Sequence, residues 1–376
     1  MDYENIRTLS CKGMIKKKSM KNLTLLIKPS SSRCQLRCKY CFYMEESRNR
    51  ETADYGFMSM DTATKMIEKA VAFCDEDGEL TFMFQGGEPT LIGISWYEEF
   101  IACVGKMKKE KQTITYAIQT NGMLLDDAWF SLLKKHDFLV GISIDGFQRN
   151  HDSVRLDAGN QKTWNRIIHA YRRCIQEGIR INVLTVLTEK LAKHPKEYYD
   201  FIVKEDIDWI QLIPCLDEGV RTPYALTPKS YSSFFVALFD LWYTEKKKGK
   251  RRSIGLFDDI EAMFRGYSPG QCGRLGKCSW QYVIEADGSV FPCDFYCTDE
   301  WLLGNIGCES MEQLTDCPVR TSFLKRDEQG KKICEKCRYE SICHGGCIRQ
   351  RNCYLSDKYC GHQKLLSHIE YVMYGK

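Results

Sequence analysis

The sequence predicts an α/β protein in which an open, partial (β/α)6 barrel of the TIM type, residues 21 to about 240, precedes a small cysteine-rich α+β domain over residues 241 to 376. Three observations predict it. Apolar, strand-like runs alternate with helical patterns through the first two thirds of the chain, glycine-rich and polar motifs fall just after the strands, and cysteines gather at ligand spacings once the alternation ends. Strands separated by helices of about ten to fifteen residues imply a parallel sheet with right-handed crossovers. Six such units are two fewer than a closed eight-fold barrel contains.

The first twenty residues carry Lys16, Lys17 and Lys18 but neither an apolar stretch nor a small-residue cleavage site, so they read as a tail on a cytoplasmic protein. A strand over Leu23 to Lys28 follows and runs into the loop that holds Cys34, Cys38 and Cys41. Next come a helix from Asp61 to Phe73, a strand Leu80 to Gln85, a helix Trp96 to Lys109, a strand Thr113 to Gln119 and a helix Asp126 to His136. Strand Leu139 to Ile144, helix Trp164 to Glu177, strand Ile181 to Leu187, helix Pro195 to Lys204, strand Trp209 to Pro214 and helix Ser230 to Lys247 complete the six periods. Lys246, Lys247, Lys248, Gly249 and Lys250 form a solvated run that reads as the link to the second domain. A short helix, Phe257 to Phe264, opens that domain, and Tyr282 to Glu285 and Ser289 to Phe291 flank Ala286-Asp287-Gly288, a hairpin signal that draws Cys278 and Cys293 together.

Composition narrows the function. The most apolar helical run, Phe234 to Tyr243, is too short to span a bilayer and contains Asp240, so no membrane partner is expected. With 54 basic and 50 acidic residues, and no dense basic tract, nucleic acid is not an expected partner either. Twenty cysteines fit a secreted disulfide scaffold or a metalloprotein. A chain of 376 residues can build its own core without disulfides, and these thiols cluster, which favours metal in a reducing, anaerobic cytosol.

In Cys34-Gln-Leu-Arg-Cys38-Lys-Tyr-Cys41 three thiols stand in one short loop, long enough to wrap three corners of a 4Fe-4S cube and leave one iron open. Structural zinc is the alternative, but it wants four closed ligands. No fourth Cys or His stands beside these three. With Tyr40 before the last Cys and Phe42-Tyr43 after it, the loop resembles the signature of the radical S-adenosylmethionine enzymes. The resemblance implies that the open iron is chelated by S-adenosylmethionine, whose cleavage yields a 5'-deoxyadenosyl radical that takes a hydrogen from substrate. It also implies a role for each motif at a strand end, where barrel chemistry sits. Gly87 in Gly86-Gly87-Glu88-Pro89 would meet the amino group of S-adenosylmethionine, Tyr40 its adenine, Ser143 and Arg155 its ribose and carboxylate, and Leu216 its adenine. Glu88 supplies an anion for a cationic ligand, and Gln119 and Asn121 are expected to face the substrate, since amides bond an extended peptide as donor and acceptor.

The C-terminal run Cys334-x-x-Cys337, Cys343, Cys347 and Cys360, with Cys278 and the Gly288-x4-Cys293 step, resembles the SPASM domain. That resemblance assigns Cys272, Cys278, Cys293 and Cys347 to one auxiliary 4Fe-4S cluster, and Cys334, Cys337, Cys343 and Cys360 to a second, for three clusters in all. Two zinc ribbons are the alternative for these eight thiols. Cys11, Cys74, Cys103, Cys174, Cys215, Cys297, Cys308, Cys317 and Cys353 lack partners at ligand spacing, and most are expected to be small buried hydrophobes.

Fully ligated clusters suit the removal of an electron from a substrate radical, which points to net oxidation. The motifs together (Ile-Lys-Pro, Cys-Phe-Tyr, Phe-Gln-Gly-Gly-Glu-Pro-Thr-Leu, Gln-Thr-Asn-Gly, Phe-Leu-Val-Gly-Ile-Ser-Ile-Asp-Gly and Pro-Cys-Asp-Phe-Tyr) resemble the anaerobic sulfatase-maturating enzymes. That family oxidises a Cys or Ser in a C/S-x-P/A-x-R segment of a sulfatase polypeptide to Cα-formylglycine. An electron donor such as flavodoxin or ferredoxin is then implied as a second partner. Asp294, beside Cys293, matches the family's general base. Two alternatives are a SPASM enzyme that modifies or cross-links another peptide and a non-catalytic iron-sulfur electron carrier.

Overall fold

All six expected strand-plus-helix periods form in the computed structural model, which describes residues 20–216, 222–274, 276–326 and 332–375. The expected N-terminal tail, apart from Met20, and Cys11 with it, lie outside the described residues. In chain order the barrel elements are β1 (Met20–Ile27), α1 (Phe42–Arg48), α2 (Met60–Phe73), β2 (Cys74–Phe84), α3 (Ile94–Met107), β3 (Thr113–Thr120), α4 (Asp127–Lys135), β4 (Leu139–Ser143), α5 (Gln148–Val154), α6 (Trp164–Gln176), β5 (Ile181–Leu187), α7 (Pro195–Lys204), β6 (Trp209–Pro214) and α8 (Pro228–Lys247). After them come β7 (Ser253–Ile254), α9 (Gly255–Phe264), β8 (Tyr282–Ile284), β9 (Ser289–Phe291) and β10 (Gly304–Asn305).

Local chemistry sets the helix starts. The side chains of Ser59, Asp126 and Thr227 accept the amides of Thr62, Trp129 and Ser230, and Pro195 and Pro228 open α7 and α8, where a missing N–H costs nothing. The helices then bury aromatic faces on the sheet. Phe82, Phe84, Tyr97, Phe100 and Phe138 have no exposed surface, and each contributes about 1.5–3 kcal/mol by leaving water. Helices α1 and α5 have no counterpart in the sequence reading, being too short to show a period. The C-terminal helix Gly361–Tyr374 has none either; it packs on α8 through Tyr231 Oη to His362 Nδ1 (2.9 Å) and His368 Nε2 to Asp240 (2.6 Å).

The sheet is larger than the six units require. Its ten strands run in the order β10-β9-β8-β1-β2-β3-β4-β5-β6-β7, with β1 to β7 parallel and β8 parallel to the free side of β1. The basic run expected as a link ends α8 and turns the chain back into the sheet: Lys246 pairs with Glu261 at 2.5 Å, and β7 joins β6. At the opposite edge the cysteine-rich hairpin β8-β9 prolongs the same sheet. Ile27 pairs with Phe84 on one side and Ile284 on the other, so the next residues, Lys28, Gln85 and Glu285, leave the sheet side by side. Their backbones confirm this. The Lys28 amide donates to Ile284 O at 2.8 Å and the Gln85 amide to Ile27 O at 2.9 Å. Among the described residues no helix is long and apolar enough to cross a membrane.

Candidate active site and thiol cavities

At the C-terminal mouth of the parallel strands lies a cavity with about 880 Å³ of empty space, and Cys34, Cys38 and Cys41 all line it. So do Tyr40, Gly87, Ser143, Arg155 and Leu216. A larger opening of about 1680 Å³ lies outside the barrel among α5, α6 and α7, walled by charged side chains such as Arg149, Arg172 and Glu197 and without a thiol. The chemistry-bearing residues choose the smaller one. Backbone bonds independent of the thiols fix the cysteine loop: Gly87 N to Ser31 O (2.9 Å), Glu88 N to Arg33 O (2.7 Å), Arg37 N to Leu156 O (2.7 Å) and Lys39 N to Val154 O (3.0 Å). Gly87 is required by closeness, since a Cβ there would stand 2.2 Å from Arg33 O.

Burial pushes the Cys34 and Cys38 thiols up to about 12 and raises Cys41 as well. Such thiols hold their protons at neutral pH until a cation exchanges for them, which is the donor chemistry an iron-sulfur cluster needs. Polar groups already face the sulfurs. Asn121 Nδ2 lies 3.7 Å from Cys34 Sγ and Arg155 Nη1 3.8 Å from Cys38 Sγ. Arg155 also donates through Nε to Asp145 Oδ2 at 3.0 Å, and Tyr40 Oη donates to the same carboxylate, so one buried Asp orients both cavity residues. Ser143 Oγ accepts from Gln119 Nε2 at 3.1 Å.

One expectation needs correction. Glu88 is fully buried, and its carboxylate is saturated by Thr90 N, Thr90 Oγ1, Thr120 Oγ1 and Asn121 N at 2.6–3.1 Å, so it ties the turns after β2 and β3 together instead of awaiting a cation. Gln119 and Asn121 both line the cavity; Asn121 Oδ1 accepts from Met123 N and Gln35 Nε2, and its amide faces Cys34.

Asp294 is nearly buried at 8% exposure and stands behind the cavity wall, reached through two wall residues the sequence reading quoted in motifs but assigned no role. Tyr43 Oη donates to Asp294 Oδ2 at 2.6 Å, and Gln85 Nε2 donates to the same oxygen at 2.8 Å. The other oxygen, Oδ1, accepts no hydrogen bond among the described residues, although Lys28 Nζ is 3.2 Å away. Lys28 is itself 1% exposed and sits among Glu46 (3.2 Å), Glu285 (3.6 Å) and the Cys297 thiol (3.1 Å). Burial works against its charge, yet Cys297, Glu46, Asp294 and Glu285 outweigh that and raise its pKa well above the ordinary lysine value.

The C-terminal thiols fall into two neighbourhoods. Cys334, Cys337, Cys343 and Cys360 line one small cavity. Cys278 and Cys293 each lie within electrostatic reach of Cys272 and Cys347, and Arg326 Nη2 is 3.3 Å from Cys278 Sγ. No three His, Cys, Asp or Glu side chains among the described residues meet at single-ion spacing; a cube takes one thiolate per iron, so its ligands surround a volume. Of the unassigned cysteines, Cys74, Cys174, Cys215 and Cys353 are buried as expected, whereas Cys308 is exposed and Cys103 and Cys317 are half-buried. Cys297 is buried against an ammonium and is not a plain hydrophobe.

A family model described as the Radical SAM superfamily matches residues 29–202, and one described as an iron-sulfur cluster-binding domain, SPASM, matches residues 276–338. The chain is 39% identical over 336 residues to a cysteine-type anaerobic sulfatase-maturating enzyme of Clostridium novyi, covering 88% of this chain and 89% of that one. It is 37% identical over 338 residues to the cysteine-type enzyme of Clostridium perfringens, covering 89% and 90%. The serine-type enzyme of Klebsiella aerogenes is 27% identical over 340 residues, covering 90% and 82%. Among solved structures, native anSMEcpe with bound AdoMet superposes with a TM-score of 0.85 at 35% identity, covering 92% of this chain and 96% of that one. The same protein with bound AdoMet and the Cp18Cys peptide gives 0.84 at 34%, with the same coverage.

Proposed function

This chain belongs to the anaerobic sulfatase-maturating enzymes of the radical S-adenosylmethionine superfamily, which oxidise a Cys or Ser side chain of a sulfatase to Cα-formylglycine, and we propose that it is a cysteine-type member. Greater likeness to the cysteine-type relatives than to the serine-type one supports the finer reading. One observation carries the site assignment: three thiols and the five residues matched to S-adenosylmethionine contacts line a single cavity whose wall is bonded to Asp294.

Cys34, Cys38 and Cys41 would hold the first 4Fe-4S cluster; Tyr40, Gly87, Ser143, Arg155 and Leu216 would hold S-adenosylmethionine. Cys272, Cys278, Cys293 and Cys347 would hold a second cluster, and Cys334, Cys337, Cys343 and Cys360 a third. When bound, these groups supply a radical that abstracts hydrogen and a sink for the electron that remains, with flavodoxin or ferredoxin as the outside donor. The protein does the rest. A substrate side chain must also lose the proton on its sulfur or oxygen, and Asp294 takes it. Tyr43 and Gln85, both in the cavity wall, hold Oδ2 and link the carboxylate to the cavity. Phe42 and Phe295, with ring centroids 4.8 Å apart, make that side of the wall apolar.

With 18-residue peptides of the C/S-x-P/A-x-R type under anaerobic conditions, the reconstituted enzyme is expected to form formylglycine on the Cys peptide in preference to the Ser peptide, read by mass spectrometry. Equal turnover of both would overturn the cysteine-type reading, and 5'-deoxyadenosine without formylglycine on either would point to another peptide. Asn121 gives a separate prediction. An N–H directed at a ligand sulfur raises a cluster's potential, so Asn121→Ala is expected to lower the midpoint potential of the first cluster in an EPR-monitored redox titration. An unchanged potential would return Asn121 to its turn.

A further inference from the structure

We infer that Lys28 is a positioning residue for the reaction: its buried ammonium, 3.2 Å from Oδ1, holds the Asp294 carboxylate in place by charge. The inference rests on the reading of Asp294 as the acceptor of the substrate's proton. Its basis is the division of bonds around one buried ammonium. Lys28 Nζ directs hydrogens to Glu46 Oε2 at 3.2 Å and Cys297 Sγ at 3.1 Å, whereas its approach to Asp294 Oδ1, also 3.2 Å, is an ion pair without a hydrogen bond. Two of the three ammonium hydrogens are thus assigned, and the buried charge attracts the carboxylate from Oδ1.

Lys28 is well placed for this alone. It leaves β1 at the register step that also delivers Glu285 and Gln85, its Nζ lies 4.8 Å from the centre of the Tyr43 ring, and it spans the barrel and the cysteine-rich hairpin. Glu46 is fixed from its other side by the Cys297 amide at 2.6 Å, and Glu285 by Arg50 at 2.8 Å. The group thus contains three carboxylates, Glu46, Glu285 and Asp294, and two cations, Lys28 and Arg50, a net charge of −1. Burial keeps the pairs unscreened.

Lys28→Met keeps the length of the stem and removes the charge, but it leaves the group at −2 and can unfold the protein. Lys28→Met/Glu46→Gln restores −1 and is the decisive variant. Iron content, thermal midpoint and 5'-deoxyadenosine formation with peptide bound should stay at wild-type levels. Formylglycine should fall by about 10-fold or more, so that the ratio of 5'-deoxyadenosine to formylglycine rises; the loss should be smaller than that from removing the base itself, roughly 10²-fold. In an Asp294→Asn background the same two substitutions should have no further effect, because Lys28 acts through Asp294. If Asp294→Asn uncouples the two products and the double variant does not, Lys28 only packs the seam and the inference fails by itself. If Asp294→Asn makes formylglycine normally, the reading of Asp294 fails first and takes this one with it. A proportional fall of both products would also overturn the inference.

Discussion

Asp294→Asn is expected to cleave S-adenosylmethionine to 5'-deoxyadenosine at the wild-type rate while formylglycine falls by roughly 10²-fold or more, the size of a general-base effect. The substitution keeps the shape of the side chain and removes its basicity. Its carboxylate is not among the residues lining the cavity with Cys34, Cys38 and Cys41, so S-adenosylmethionine cleavage has no need of it. Oxidation is expected to need it, because a Cys or Ser side chain loses a proton from sulfur or oxygen as well as a hydrogen atom and an electron. Two donors hold Oδ2 and the Lys28 ammonium stands 3.2 Å from Oδ1, so the carboxylate is fixed from both sides. Simultaneous mass spectrometry of the peptide and chromatography of 5'-deoxyadenosine separate the two steps. Near-normal formylglycine would remove Asp294 from the mechanism and leave it as the anchor of Tyr43 and Gln85.

How much of this was legible in the sequence depends on the range over which each feature is encoded. The strand-plus-helix units are local patterns, and strands such as Ile181–Leu187 and Trp209–Pro214 have the bounds their periodicity predicts. The thiols were legible because their spacing is chemistry in itself. Pairing of β8 with β1 was not, since nothing local announces that a hairpin from the cysteine-rich region will extend the barrel sheet. That long-range contact assembles the hydrogen bonds around Asp294: Tyr43 and Asp294 are 251 positions apart, Gln85 and Asp294 209. Glu88 failed for the opposite reason. Its motif was read as a ligand anion, but a carboxylate beside Thr90 and across from Thr120 finds four donors within the protein before any ligand arrives.

Replacing Cys34, Cys38 and Cys41 together by Ala is expected to abolish S-adenosylmethionine cleavage outright and to lower the iron content from roughly twelve to about eight per chain, four for each cube. The loop itself should keep its path. Gly87, Glu88, Arg37 and Lys39 anchor it through backbone bonds that use no sulfur, so the far-UV spectrum and the fold of the barrel are expected to survive. The eight C-terminal thiols lie in separate neighbourhoods, one of them a cavity lined by Cys334, Cys337, Cys343 and Cys360, and are expected to retain their iron. Iron and sulfide analysis after anaerobic reconstitution, beside an assay for 5'-deoxyadenosine, reads both outcomes at once. Retention of about twelve irons would mean that the loop thiols hold no cluster. Zinc in place of the remaining iron would undo the electron-accepting role of the C-terminal clusters, because a d10 ion with no accessible redox step has nowhere to put the electron that the substrate must lose.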